Sequence, residues 1–321
     1  MGVKLVFSSA LIMFFMSLQI GSASSLDSST ASNITVRPFL ENININPSEK
    51  TKQFDLTISN DSKFKQVFHL STINFGTLNE TGGLAFQGAS GTKISSKYGL
   101  TKWLTLSNND IELGPSQQST VIVTINNDKD LAPGAHYTAI ITTASNSQSA
   151  AGQLTVTPKV SSLIFATKIG GEFYNIHLQS VSHNGSVFKA PSNVTVRLKS
   201  TGNTYITPRG VVSLKQGNVV ISRGIINAQS SIVLPETTRS FDVPLTQVQA
   251  PKSGLLFSKY RIEIDYRYDG ISNFATKQYS FTKFNISSVI VLASIILVFL
   301  LLLFSKRLRR HSQNLFTHKR T

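Results

Sequence analysis

The sequence predicts an all-β protein, two tandem Ig-like antiparallel β-sandwiches followed by one transmembrane α-helix. Three observations predict it. Several stretches alternate apolar and polar residues with period two; the stretches recur in the same order in both halves; and a 19-residue uncharged run near the C-terminus ends in four closely spaced cations.

The alternation comes first. Phe54, Leu56 and Ile58 alternate with Gln53, Asp55, Thr57 and Ser59, and Val121, Val123, Ile125 and Val194, Val196, Leu198 repeat the pattern. Tyr260, Ile262, Ile264, Tyr266 and Tyr268 are interleaved with Arg261, Glu263, Asp265 and Arg267. Period two puts the apolar set on one face and the charges on the other, as in half-buried antiparallel strands. No window before residue 286 carries a helical period. The 43 Ser and 29 Thr, with only 15% charged residues, fit exposed β-structure.

The repeat follows. A strand ending at Asn60 matches one running from Val194 to Thr201-Gly202-Asn203. Leu113-Gly114-Pro115 before one strand matches Leu234-Pro235 before another, and Tyr137-Thr138-Ala139-Ile140-Ile141 matches Tyr260-Arg261-Ile262-Glu263-Ile264. Two copies of a sandwich explain this order better than one large barrel. Residues 34–170 are read as the first sandwich and 171–284 as the second, divided at Gly170-Gly171. The first copy carries a Gly-rich insertion at 75–100, where Phe75, Leu84, Phe86 and Tyr98 are candidate apolar anchors. Long insertions on a rigid scaffold are commonly functional; the competing reading is a merely tolerated insertion.

The two ends set the topology. Lys4, an apolar stretch over 5–20 and Gly21-Ser22-Ala23 describe a signal peptide over 1–23, with an uncleaved anchor as the alternative. Residues 24–33 read as a linker. Residues 286–304 are uncharged and long enough to cross ~30 Å of hydrocarbon at about 1.5 Å per residue. Lys306, Arg307, Arg309 and Arg310 follow, so the positive-inside rule makes 305–321 a basic cytoplasmic tail and leaves 24–285 outside. The expected location is the cell membrane, as a single-pass type I protein.

The formal charge of +15 divides accordingly: +1 in the signal, +6 in the tail and +8 outside. The external charge favours polyanionic partners such as cell-wall polymer, and nothing points to nucleic acid. The chain has no Cys. That excludes disulfide frameworks, thiol nucleophiles and Cys-ligated metal, and an exported chain without disulfides suits a bacterium with one membrane and a thick wall. Six Asn-x-Ser/Thr sequons, beginning at Asn33, Asn60, Asn79, Asn184, Asn193 and Asn285, are no more than this composition produces by chance.

The search for chemistry returns negatives. Of six His (69, 136, 177, 183, 311, 318), none has zinc-type spacing. There is no Gly-x-Ser-x-Gly elbow, P-loop or dinucleotide fingerprint. Asp128-x-Asp130 could touch Ca²⁺, but two acids in a surface turn are more simply solvated. Leu234-Pro235-Glu236-Thr237-Thr238 looks like a sortase signal, yet it lies far from the span and aligns with a strand-to-strand turn. Trp103 reads as core filler, with sugar stacking as the alternative. No catalytic, metal or cofactor-binding residue is assigned, no cofactor is expected, and the ligand-binding residues are unknown.

The run Trp103-Leu104-Thr105-Leu106, then Leu113-Gly114-Pro115, then Leu131-Ala132-Pro133-Gly134-Ala135-His136-Tyr137 resembles the first domain of the WxL-interacting cell-surface proteins of Gram-positive bacteria. Thr201-Gly202-Asn203-Thr204, Pro208-Arg209-Gly210 and Val233-Leu234-Pro235 with Arg239 resemble their second domain, and the C-terminal helix with its basic tail matches their layout. The resemblance implies a peptidoglycan-binding-like domain followed by a host- or partner-binding-like one. The expected function is therefore a non-enzymatic surface binding or adhesion protein engaging cell-wall polymer and/or a partner surface protein. The alternative is a membrane-anchored assembly factor or chaperone for other exported proteins. A glycan-active enzyme and a eukaryotic adhesion protein stand behind these.

Overall fold

The computed structural model describes residues 34–88, 94–146, 158–252, 254 and 256–317; for residue 146 and for 308–317 it describes the backbone alone. The signal peptide read at 1–23 and the linker at 24–33 lie outside these residues. In chain order the first half contributes β1 (Ile34–Arg37), β2 (Leu40–Ile45), β3 (Thr51–Asn60), β4 (Gln66–Ile73), β5 (Phe75–Thr77), β6 (Leu84–Phe86), β7 (Leu104–Leu106), β8 (Asp110–Leu113), β9 (Gln118–Asn126), β10 (Gly134–Asn146) and β11 (Lys159–Lys168). The second half contributes β12 (Ile176–His183), β13 (Asn193–Ser200), β14 (Pro208–Gln216), β15 (Val219–Ile226), β16 (Thr238–Pro244), β17 (Thr246–Gln247), β18 (Phe257–Tyr268) and β19 (Ala275–Phe284). The helix α1 (Ile286–Thr317) follows.

Among the described residues, strands pair only within their own half. A sheet ordered β1-β3-β9-β7 faces one ordered β2-β11-β10-β4-β8, and β12-β13-β16 faces β17-β15-β14-β18-β19. Each pair encloses its own apolar core, one around Leu56, Ile58, Phe68, Val123 and Ile164, the other around Val196, Val212, Ile262 and Ile264. The predicted alternation is what fills them: Leu56 and Ile58 of β3 and Val121, Val123 and Ile125 of β9 are all buried, and their neighbours are not. Full burial of one such side chain contributes roughly 1.5–3 kcal/mol.

The repeated turn is real in backbone terms. Gln117 N–H donates to Gly114 O across Pro115-Ser116, and Thr237 N–H donates to Leu234 O across Pro235-Glu236. Ser116 and Glu236 take φ of 57° and 59°. Proline followed by a positive φ is the type II arrangement, so the Leu-Pro-Glu-Thr-Thr segment is a strand-to-strand turn with Leu234 buried. One boundary differs from expectation. β13 ends at Ser200, not Asn203, because residues 201–203 leave the sheet to join the halves. Asn203 Nδ2 donates to Pro133 O (3.2 Å) and Gly171 O (2.9 Å), its Oδ1 accepts Phe173 N–H (2.6 Å), and its backbone O accepts Ala135 N–H (2.9 Å). Gly202 is needed there, since a Cβ would lie 2.1 Å from Phe173 O. Replacing Asn203 by Ala should therefore cost about 1–3 kcal/mol, read as a fall in chemical-denaturation midpoint.

The Gly-rich insertion is not a free binding loop. It forms the β5–β6 hairpin and a 3-10 turn at Ser96–Tyr98, with residues 89–93 outside the description. Phe75 and Tyr98 are buried and Phe86 is half-buried, but Leu84 is 40% exposed, so three of the four expected anchors serve. They build a third core with Tyr137, Ala139 and Phe165 of the first sandwich and Leu234 of the second. β10 is accordingly buried on both faces over Ala135 to Ile140, polar His136 and Thr138 included. Glu80 of the insertion forms a bidentate pair with Arg197 (2.5 and 2.6 Å), and Lys97 reaches Glu236 at 2.5 Å. These partners hold both carboxyls below their ordinary range.

His136 is buried on the other face of β10 from Tyr137, with Nε2 2.8 Å from Ala132 O and the ring edge-on to Trp103. Trp103 itself is half-buried against the first core, not at its centre. Burial pushes the His136 pKa below its ordinary 6.5. The neutral imidazole therefore stabilises the fold fully above that value, and the contribution is lost as pH falls below it, because the unfolded chain then binds the extra proton. Melting temperature should decline as pH falls below about 6.5, and His136→Gln should flatten that decline. Loss of the Glu80 and Glu236 pairs belongs to a lower window, below their ordinary 4.5.

Helix α1 extends to Thr317, past the predicted limit of 304. No Gly or Pro interrupts 305–317, so nothing in the sequence stops it at the end of the apolar run. Residues Ile286–Arg307 are long and apolar enough to cross a membrane, and among the described residues nothing covers that stretch.

Candidate functional site: an open sheet edge beside the helix

The turn equivalence aligns the two sandwiches strand by strand. β3 and β9 correspond to β13 and β16, and β4, β8, β10 and β11 correspond to β14, β15, β18 and β19. Two strands of the first sandwich have no counterpart in the second. β2 runs parallel to β11 (Leu40 opposite Leu163 through Ile45 opposite Lys168), and β7 pairs with β9. The sequence contains the reason for the first difference. Pro38 has no N–H for a ladder, so β1 stops pairing with β3 at Arg37 and the chain crosses to the other sheet as β2. Residues 176–183 contain no Pro, and β12 stays beside β13 along its length with one irregularity at Leu178/Ser180.

Consequently, among the described residues no strand covers the outer edge of β19. Asn285 N–H donates inward to Leu256 O (2.8 Å), whereas Phe284 N–H donates outward to Val187 O (2.6 Å). Backbone direction alternates along an antiparallel pair. Thr276, Gln278, Ser280 and Thr282 therefore aim N–H and C=O away from β18, and among the described residues no strand pairs with them. Every residue from Ala275 to Ser280 is exposed, including Tyr279 at 42% although it faces inward opposite Ile262. Across this seam lie Ile176, Leu178 and Val181 of β12, all half-buried against the second core. Phe281 closes its lower end, stacked on Tyr260 (5.6 Å) and beside His183 (5.1 Å). The result is a partly exposed apolar seam bordered by a strand whose outward backbone groups pair with no strand among the described residues.

The opposite seam, between β15 and β16, is a groove of about 800 Å³ lined by Arg223, Ile225, Arg239, Phe241, Val248 and Thr81. Arg239 lies over the Phe241 ring (5.7 Å) and donates to Ile232 O (2.7 Å); burial pushes its pKa down. This edge is already in part occupied, since Ser240 N–H donates to Glu80 O of the insertion (2.7 Å). On β19 the comparable contact, Phe284 N–H to Val187 O, is confined to the last residue, and among the described residues no backbone bond plugs the outer edge from Thr276 to Thr282.

The side chains singled out for chemistry are dispersed. His69 pairs with Asp110 at 2.8 Å, and Asp130 lies 3.8 Å from Lys102. Asp128 offers only its backbone O to Lys168 (3.0 Å). Among the described residues no three His, Asp or Glu gather. Sequence reading named no binding residue, and the β19 edge is backbone, which leaves no motif to find.

No family model matches the chain, and no curated protein matches it. Its fold is similar to that of solved Ig-like, PapD-like structures. The class 5 fimbriae chaperone CfaA is 13% identical over 79% of this chain and 99% of that chain, with a TM-score of 0.41. The SafB chaperone complex with SafA pilin of Salmonella enterica gives 9% identity, 78% and 96% coverage and a TM-score of 0.37. A PapD-like domain of human CEP192 gives 12% identity, 43% and 86% coverage and a TM-score of 0.28. These likenesses are of fold alone.

Proposed function

We propose that the protein is a non-enzymatic, membrane-anchored assembly factor or chaperone that holds an exported polypeptide by strand addition along β19. The observation that carries this reading is the β19 edge: the equivalent edge in the first sandwich is covered by β2, and among the described residues no strand takes that place here. Main-chain hydrogen bonds supply affinity in such a complex, and alternate side chains entering a slot supply specificity. In this reading 34–170 and 171–284 are the two domains, both outside the membrane, with the tail in the cytoplasm. The insertion makes them a rigid unit that presents the edge at a set height.

The test is photocross-linking from p-benzoylphenylalanine in place of Gln278, in the full chain in its own membrane. Adducts to exported proteins are expected, at discrete masses, and they should vanish when Ser280→Pro is added. Adducts that persist with Ser280→Pro would remove the strand-addition reading. Wall-polymer binding, which the WxL resemblance implies, is the rival outcome. It would appear as retention of the purified full chain by isolated sacculi with no protein adduct.

A further inference from the structure

The end of the second sandwich that adjoins α1 carries an unusual surface. Five large apolar side chains are exposed there: Val187 (54%), Phe188 (46%), Leu256 (45%), Phe257 (51%) and Phe284 (41%). Three segments bring them together. Phe257 is opposite Phe284 at the open end of the β18–β19 pair, with ring centroids 6.5 Å apart. The bonds from Phe284 N–H to Val187 O and from Asn285 N–H to Leu256 O tie in Val187 and Leu256, with Phe188 next in the chain. Lys252 and Lys283 share a cleft with Phe284 and Asn285, Lys189, Lys259 and Arg261 are one to four residues along the chain from Phe188 and Phe257, and residues 184–190, 256–261 and 280–285 contain no Asp or Glu.

The connection to the helix is short and held. Only Asn285 separates β19 from α1. It accepts Ser287 N–H on Oδ1 (3.2 Å), caps the helix, and is bonded to Leu256 at the same time. Phe284 is two residues from Ile286, at most about 7 Å of chain, so the patch adjoins the start of the span.

We infer that this end of the sandwich is a membrane-docking platform, with Phe188 and Phe257 at the headgroup–acyl boundary of an anionic lipid surface and the lysines among the headgroups. The inference rests on α1 spanning a bilayer. Lipid is the occupant the surface fits, because the patch is continuous with the apolar helix and the surrounding charge is of one sign. The platform would stop the ectodomain from swinging about Asn285 and would orient the β19 edge along the membrane normal.

The absence of native Cys allows a clean test on the full chain in vesicles of phosphatidylcholine and phosphatidylglycerol. Single spin labels are placed by Phe188→Cys, Phe257→Cys, Ser272→Cys at the far turn and Leu297→Cys in mid-helix. Access of oxygen and of a water-soluble nickel chelate then gives depth. Labels at 188 and 257 should be oxygen-accessible and nickel-poor, the label at 272 nickel-rich, and the label at 297 deepest. Omitting phosphatidylglycerol should raise nickel access at 188 and 257 at least ~2-fold; no change would overturn the anionic preference. Nickel access at 188 and 257 equal to that at 272, with 297 still deep, would overturn the platform and leave the span intact. Nickel access at 297 as well would overturn the span and the platform together. Shielding of 188 and 257 from both reagents would mean a second copy covers the patch, and would overturn the lipid assignment.

Discussion

Phe75→Ala is expected to lower stability by about 3–5 kcal/mol and to uncouple the two sandwiches. Phe75 is 1% exposed and touches the rings of Tyr137 (5.1 Å), Phe165 (5.6 Å) and Phe86 (6.4 Å). It is the centre of the third core, the layer that joins the first sandwich to Leu234 of the second. Its loss leaves a cavity between the halves as well as lost burial. Calorimetry of the full chain should show one transition split into two. A Leu56→Ala change of similar cost, inside the first core, should lower the transition without splitting it. The ion pairs across the same boundary are partly solvent-exposed (Glu80 41%, Arg197 35%) and are screened accordingly. Arg197→Ala should change stability by no more than about 1 kcal/mol. Apolar packing, and not the charges, holds the halves together. An unsplit transition in Phe75→Ala would refute that assignment.

Ser280→Pro should abolish partner binding while leaving the sandwich folded. The Ser280 N–H points away from β18, so proline removes no hydrogen bond of the ladder, and edge strands tolerate it on that side. It does remove a donor that an added strand needs, and its ring obstructs approach. Stability should change by less than about 1 kcal/mol, whereas Tyr279→Pro, one residue away, should cost about 3 kcal/mol or more because its N–H pairs with β18. The pair separates binding from folding. Equal destabilisation by both would show that the backbone direction along β19 had been assigned wrongly. Retained cross-linking in a folded Ser280→Pro protein would remove β19 as the site.

Much of the fold was legible in advance. Periodicity located β3, β9, β13 and β18, because a side chain must face one layer or the other and the choice is written in every second residue. The Leu-Gly-Pro and Leu-Pro repeats located the matching turns, because proline sets its own φ. The C-terminal run marked α1, since each residue contributes to membrane transfer on its own account. These signals are local or additive, and a single chain carries them.

The candidate site was not legible. Pro38 was visible, but that it sends β2 across to cover β11, and that β19 therefore lacks the equivalent cover, depends on which strands become neighbours. The role of the insertion was equally hidden: Phe75 and Tyr98 read as anchors, while the surface they anchor to, including Leu234 some 136 residues beyond Tyr98, exists only once both sandwiches are folded. The docking patch combines residues 187–188, 256–257 and 284, unremarkable singly in sequence and adjacent in space. Sequence alone determined the strands, their repeat and the apolar helix, because side-chain preference is a property of each residue. Only the tertiary structure decided which edges stayed open, because pairing is a property of two segments and of whatever fails to come between them.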